Sequence, residues 1–408
     1  MIHRLEIENF YSIRETQVID LRIGAKVPDE EGRFAGIKDG SGERVPKTVA
    51  LFGANASGKS NVLRALSLLQ WFLVDSYKLP AGAGLPFPNF ADSECNAKPT
   101  RIRVHFDWSE DFASKGSQLE SQIPFAQYVY EVLFQGEPNR PGKIVLSEEL
   151  RQQPVTGKSR RIFERNQKGE VHSGSRFSLR GLSHILAKLR PEVSLIATIA
   201  QFAEHRPTLS FLAWARGIAT NILAEKMDLD DQTVLLYYLN NSRILKELNR
   251  VIEKVDLGIQ SVSVLPSAAG PFAAFAHQGL GTNLPLFMES QGTRQFIKVF
   301  PSIRDALDAG GIAVLDELDS AIHPMLLPEI LRWFHDSELN PYQAQLWTSG
   351  HSASLLEELK KEEVFFTEKD DHGRTKIYGL KDIEGVRRVD NFYQKYLGGV
   401  YGAVPRIG

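Results

Sequence analysis

A single cysteine, Cys95, is all the thiol chemistry carried by this 408-residue chain. A disulfide within the chain and a zinc site built from several cysteines are both excluded. So few thiols are what a reducing compartment allows. Long apolar runs are missing as well, and none approaches the ~20 residues that cross a bilayer. The opening, Met1-Ile2-His3-Arg4-Leu5-Glu6, puts charge where a secretory leader needs its apolar stretch, so a cytoplasmic location without membrane is expected. An excess of one charge is also absent: 48 Lys+Arg stand against 50 Asp+Glu, for a formal net charge of −2. No global field draws the chain to nucleic acid, and any such surface has to be a local patch. Repeats and low-complexity tracts are lacking too. What remains is the composition of a globular protein with a core, 42% hydrophobic and 24% charged.

The first residues predict strands, with Leu5, Ile7, Phe10 and Ile13 interrupted by the turn formers Asn9 and Ser12. Thr48-Val49-Ala50-Leu51-Phe52 is a short apolar run ending at Gly53, the pattern of a buried strand. A helix follows from about Lys59 to Val74, with Val62, Leu63, Leu66, Leu69 and Phe72 near one face. Strand-like segments recur at 102–106, 127–134 and 143–150, and Asn166-Gln167-Lys168-Gly169 has the chemistry of a hairpin turn. From about 178 to 256 the pattern turns helical, then strands and helices alternate to the end. Three parts are expected: 1–177, a helical insertion 178–256, and 257–408.

Gly53-Ala54-Asn55-Ala56-Ser57-Gly58-Lys59-Ser60 fits G-x-x-x-x-G-K-[ST], followed by Asn61. Two glycines let the loop wrap a phosphate chain with its N–H groups pointing inward, and the following helix adds its positive dipole end. Lys59 is placed for the β- and γ-phosphates, and Ser60 for Mg²⁺. Far downstream, Ile312-Ala313-Val314-Leu315-Asp316-Glu317 is a buried strand ending in two acids. Asp316 is expected to hold Mg²⁺ and Glu317 to polarise the attacking water. A strand ending in Asp-Glu is common on its own; together with the loop it predicts nucleotide hydrolysis.

The residues around these motifs resemble ABC/SMC/RecF-like P-loop ATPases. Ser290-Gln291-Gly292-Thr293-Arg294 resembles their shortened signature, and Leu318-Asp319 the segment after the Walker B acids. Thr348-Ser349-Gly350-His351 looks like their switch histidine, and Leu5–Ile13 like their "I-x-N-F-x-S-[IF]" start. Tyr396–Pro405 resembles the ending of AAA-type ATPases of bacterial anti-phage operons, of which AbiL- and RloA-like proteins are the nearest group. The resemblance implies an α/β fold, an ABC-type head with an N-terminal antiparallel β subdomain and a mostly helical insertion. It implies an ATP- and Mg²⁺-dependent homodimer, or a higher multiple, with Lys59, Glu317 and His351 catalytic. Ser290, Gly292 and Thr293 of one subunit would close on the γ-phosphate held by the other, and Asp319 would lie at the dimer seam. A protein effector, toxin or nuclease, would be encoded elsewhere. Two other readings follow from the same motifs: a DNA-binding repair ATPase, disfavoured by the missing basic stripe, and a scaffold that seldom hydrolyses. The signature departs from Leu-Ser-Gly-Gly-Gln, and no glutamine stands out for the Q-loop.

Other signals point to bland roles. Cys95 is expected as a surface thiol, and the run Lys158–Arg161 with Arg165 as a solvated hairpin face. His323, before Pro324, is expected to be structural. Glu368-Lys369-Asp370-Asp371 has Glu where the guanine-reading N-K-x-D motif needs Asn.

Overall fold

The computed structural model describes residues 1–29, 31–38, 40–109, 126–136, 142–154, 156–222, 230–255, 258–319 and 326–404. His323 lies outside them. The fold is α/β. Its centre is a six-stranded sheet in the order Ile218–Thr220, Ile312–Leu315, Gln345–Ser349, Thr48–Phe52, Val364–Lys369 and Thr375–Gly379. Every neighbouring pair is parallel except the last, which is an antiparallel hairpin.

The apolar runs of the central strands have a direct cause: both faces of the sheet are covered. Val49, Leu51, Ile312, Val314 and Trp347 point into one core, which holds the helix Lys59–Asp75 and the helices Leu195–Phe202 and Arg206–Arg216. Ala50, Phe52, Ala313, Leu315 and Leu346 point into the other, with the helices Ser242–Val255, Gln291–Ala309 and Leu326–His335. Burying each Val, Leu or Phe of these strands contributes roughly 1.5–3 kcal/mol.

A second sheet is wholly antiparallel and built mainly from the N-terminal part. Its seven strands run in the order Val171–Ser173, Arg160–Asn166, Lys143–Gln153, Ala126–Gly136, Thr100–Trp108, Ile2–Glu8 and Gln17–Asp20. Gln345 fastens it to the central sheet. Its side chain accepts from the Ile2 N–H at 3.0 Å and donates to the carbonyls of Ile2 at 3.1 Å and Pro46 at 3.0 Å. Among the described residues, the segment 178–256 contributes five helices and also the edge strand Ile218–Thr220 of the central sheet. Beyond it, Ile259–Leu265, Phe272–His277 and Leu284–Pro285 make a small antiparallel sheet ahead of the helix Gln291–Ala309.

Two expectations are overturned by burial. Cys95 is 2% exposed, because Asn9, at positive φ, draws the turn around it inward through a bond to the Cys95 carbonyl at 2.8 Å. Arg165 is 1% exposed and is not part of a solvated hairpin face. Its guanidinium faces Glu148 and donates to the carbonyls of Val193 and Arg190, while Glu148 accepts from Tyr130, Ser194 and the Leu195 N–H. A buried pair needs this many hydrogen bonds to offset its desolvation. Among the described residues no helix is long and apolar enough to cross a membrane.

Candidate functional site

Three adjacent parallel strands, Ile312–Leu315, Gln345–Ser349 and Thr48–Phe52, end at the same edge of the central sheet, and the candidate residues gather there. The strand that leads to His351 lies between the other two, so the loop and the two acids face each other across its end.

After Phe52 the chain turns through Gly53 at φ 152°, where a Cβ would fall 2.2 Å from the Thr367 carbonyl oxygen. Gly58, at φ 113°, is equally confined by Thr375 and opens the helix at Lys59. Only glycine fits either place. The outer side of the loop is braced by threonines of the hairpin: Ser57 Oγ pairs with Thr367 Oγ1 at 2.6 Å, and Thr375 Oγ1 donates to the Ser57 carbonyl at 2.8 Å. Ser12, from the N-terminal motif, completes the brace by bonding Thr375 Oγ1 and the Asn61 amide, both at 2.7 Å. Asn55 and Ala56 stay exposed.

The Lys59 ammonium lies inside the loop, donating to the carbonyls of Gly53 at 2.8 Å and Ala54 at 3.2 Å, with His351 Nδ1 at 3.5 Å. Burial lowers its pKa, against the opposing charges of Asp316, Asp319 and Glu317. Ser60 Oγ bonds Asp316 Oδ1 at 3.1 Å, joining the hydroxyl and carboxylate expected to hold the metal. A hydroxyl and one carboxylate suit Mg²⁺, which takes few protein ligands and completes its shell with phosphate and water. Among the described residues no cluster of three or more His, Cys, Asp or Glu could form an all-protein metal cage.

Glu317 adopts φ 51°, a left-handed conformation that costs a non-glycine residue roughly 1–2 kcal/mol. Its N–H donates to Ser349 Oγ at 2.8 Å, and Oε1 lies 3.7 Å from His351 Nε2. Ser349 Oγ also donates to Asp316 Oδ1 at 2.5 Å. Asp319 Oδ2 accepts the N–H groups of His351, at 2.6 Å, and Ser352. Among the described residues its other oxygen, Oδ1, is buried and has no hydrogen-bond partner. The turn after the two acids and the turn bearing the histidine are thus tied to each other at several points.

Ser290, Gly292 and Thr293 are elsewhere. Ser290 caps the helix Gln291–Ala309, accepting from the Thr293 N–H at 3.1 Å and pairing with Thr293 Oγ1 at 2.9 Å. Among the described residues no hydrogen bond or ion pair connects Ser290 or Thr293 to Lys59 or Asp316 of the same chain. Of the first N–H groups of this helix, that of Thr293 is capped by Ser290, while those of Gln291 and Gly292 make no hydrogen bond among the described residues and are donors of the kind that favours an anion.

Two residues of the site have no counterpart in the motifs. Ser349 sits inside the quoted run before His351, but a lone serine carries no spacing of its own. Asn221 follows the edge strand and brackets Asp316, accepting its N–H at 2.8 Å and donating to its carbonyl at 3.1 Å. It lies in a segment whose pattern is helical, so nothing in the sequence marks it.

The sequence profile of a family described as "AAA domain, putative AbiEii toxin, Type IV TA system" matches residues 49–357. No curated protein matches the chain. Among solved structures it is similar to an SMC head bound to the C-winged helix domain of ScpA, at 13% identity and a TM-score of 0.42, covering 93% of this chain and 97% of that one. It is also similar to the SMC head domain from Thermotoga maritima, at 13% identity and a TM-score of 0.39, covering 93% of this chain and 98% of that one.

Proposed function

We propose, from the premise that the chain belongs to this AAA domain family, that it binds and hydrolyses ATP as a dimer whose subunits close on each other's nucleotide. One observation carries the reading: Lys59, Ser60, Asp316, Glu317 and His351 come from three sequence-distant strand ends and meet at one edge of the sheet.

The loop N–H groups and Lys59 bind the β- and γ-phosphates, with Lys59 giving up its carbonyl partners to do so. Ser60 and Asp316 hold Mg²⁺, which when bound neutralises charge on the phosphate oxygens. Glu317 stands outside the phosphate cradle, where its carboxylate accepts a hydrogen bond from water and aligns it with the γ-phosphorus. His351, between Lys59 and Glu317, steadies the charge that develops in the transition state. Asn221, whose amide brackets Asp316, takes the position for which no glutamine stands out in the sequence. The helix start at Ser290, Gly292 and Thr293, which makes no described bond to Lys59 or Asp316 of its own chain, supplies N–H groups to the γ-phosphate of the partner. Asp319 lies at the seam and holds the His351 turn.

The family description names a toxin–antitoxin system, and with the resemblance of the C-terminal segment to AbiL- and RloA-like ATPases it is the ground for proposing a nucleotide-dependent regulator of an anti-phage defence system. A separately encoded effector would respond to the dimer's nucleotide state. The test is steady-state ATP hydrolysis with Mg²⁺, wild type beside Glu317→Gln, each sized with and without ATP. Turnover by wild type, none by the variant, and an ATP-stabilised dimer of the variant are expected. Nucleotide binding without turnover or change of size in either protein overturns the reading.

A further inference from the structure

At the end of the central sheet opposite the phosphate loop, a cavity of about 370 Å³ lies where the two sheets meet. Three turns border it, and each leads into a strand of the nucleotide site. Gly217 precedes Ile218–Thr220, Gly310 and Gly311 precede Ile312–Leu315, and Tyr342 stands just ahead of Gln345–Ser349. A strand rises ~3.3 Å per residue, so Asp316 lies ~13 Å along the chain from Ile312, and the cavity is a separate place. The turns approach each other by backbone alone. A Cβ at Gly311 would fall 2.3 Å from the Gly217 carbonyl oxygen, and one at Gly310 2.6 Å from that of Tyr342.

The facing wall is aromatic. Trp108, at the end of Thr100–Trp108, and Trp214, on the helix Arg206–Arg216, line it together with Ala213. Trp214 stacks on Phe106 with ring centroids 3.9 Å apart. Trp108 meets Tyr128 at 4.8 Å and Phe211 at 5.4 Å, both near edge-to-face, so packing holds both indoles in place. Trp108 is 1% exposed, yet among the described residues its Nε1–H has no hydrogen-bond partner. A buried indole N–H has lost its water and ordinarily finds an acceptor in exchange.

The rest of the wall says what kind of molecule would bring that acceptor. Among the described residues, its charged side chains are Asp107 and Lys38, one of each sign. Asp107 is already engaged, with Oδ2 3.1 Å from His3 Nε2 and Oδ1 accepting the Lys38 N–H at 3.2 Å. Such a wall does not select an ion. Flat indole surfaces with one unmet donor suit a flat, neutral ring that carries an acceptor, and the volume falls within the ~300–1,000 Å³ of small-molecule sites. Tyr342, 57% exposed, leaves the cavity within reach of solvent.

We infer that this cavity is a second small-molecule site, which takes a neutral, flat heteroaromatic molecule of the nucleobase kind with its acceptor on the Trp108 indole N–H. The inference stands apart from the ATPase reading, because none of these residues belongs to the phosphate site.

The test uses the full chain labelled with fluorotryptophan, the Trp108 fluorine resonance being assigned by its loss in Trp108→Phe. Adenine and cytosine are the probes, with toluene as a ring that has no acceptor, each titrated with and without ATP–Mg²⁺. At least one base should move the Trp108 resonance to saturation in both conditions, with toluene about tenfold weaker. Trp108→Phe keeps a ring and loses the N–H, so calorimetry should show that base binding about tenfold more weakly, the loss of one hydrogen bond. Ala213→Phe, which fills the cavity, should abolish binding. If Ala213→Phe does not fold, Trp108→Phe alone decides. The inference is overturned if neither base moves the Trp108 resonance, if toluene binds as tightly as the bases, or if Trp108→Phe leaves the affinity unchanged. A base that ATP–Mg²⁺ displaces and Ala213→Phe retains sits at the phosphate loop, which also removes the cavity as its site. Loss of the ATPase reading would leave these outcomes untouched, and none of them bears on hydrolysis.

Discussion

Ser349 shows how much of this site rests on groups that never meet substrate. Its hydroxyl donates to the Asp316 carboxylate and accepts from the Glu317 N–H, so it sets the angle between the metal acid and the water-aligning acid. It also holds Glu317 in a left-handed backbone that nothing local favours. Ser349→Ala is expected to lower kcat by about 10–100-fold, the usual cost of removing a supporting partner. Binding of ATP, measured by titration of the variant, should change far less. An equal loss in kcat and affinity would show Ser349 to be a fold residue only. At this scale the sequence marks the residues that carry spacing: Lys59 and Ser60 sit in an eight-residue pattern, and Asp316-Glu317 close an apolar run. Ser349 and Asn221 act through a single hydroxyl and a single amide, which no period reveals. Burial decides Cys95 and Arg165 in the same way, since the residues that enclose them are distant in the chain.

Among elements, the attachment of the antiparallel sheet to the central one depends on Gln345. Gln345→Leu keeps the volume and strands the Ile2 N–H and the carbonyls of Ile2 and Pro46 without partners. Leaving such groups unpaired is expected to destabilise the protein by about 2–4 kcal/mol, read as a lower urea midpoint. A shift below about 0.5 kcal/mol would show that water replaces the amide.

The connection 79–99 is fastened in a different way. The Lys143 ammonium bonds Asn89 and sits 2.7 Å from Thr100 Oγ1, with the ring of Phe87 4.5 Å away. Burial lowers its pKa to about 7. The unfolded chain, near 10.4, binds this proton more readily, so between about pH 7 and 10 stability rises with pH through this group. The slope is at most about 1.4 kcal/mol per pH unit. Urea midpoints at pH 7.5 and 9.0 should therefore diverge between wild type and Lys143→Met, wild type gaining on the variant at the higher pH. Parallel shifts would refute it. The strand 143–153 is evident from its alternation, but a lysine at its first residue reads as solvated in any sequence pattern.

For the molecule as a whole, the α/β class and the antiparallel N-terminal sheet are legible in the sequence. The order of the central sheet is not. Parallel strands pair across long crossovers, and the segment 178–256, helical by pattern, hides the edge strand Ile218–Thr220. That strand brings Asn221 to Asp316 and so ties the helical segment to the site.

The alternation of the central strands has one more consequence. Val49 and Leu51 belong to one core, and Ala50 and Phe52 to the other. Neither core can lose the strand 48–52 without the other losing it too, so the two cores share a single thermodynamic fate. Native-state hydrogen exchange is where this shows. Amides of 48–52, 312–315 and 345–349 should open only at the free energy of global unfolding, together and last, whichever core is weakened by substitution. The edge at which nucleotide would bind is then the edge of the slowest-opening unit in the chain, and the loops that carry the chemistry are anchored in the part of the protein least able to fluctuate.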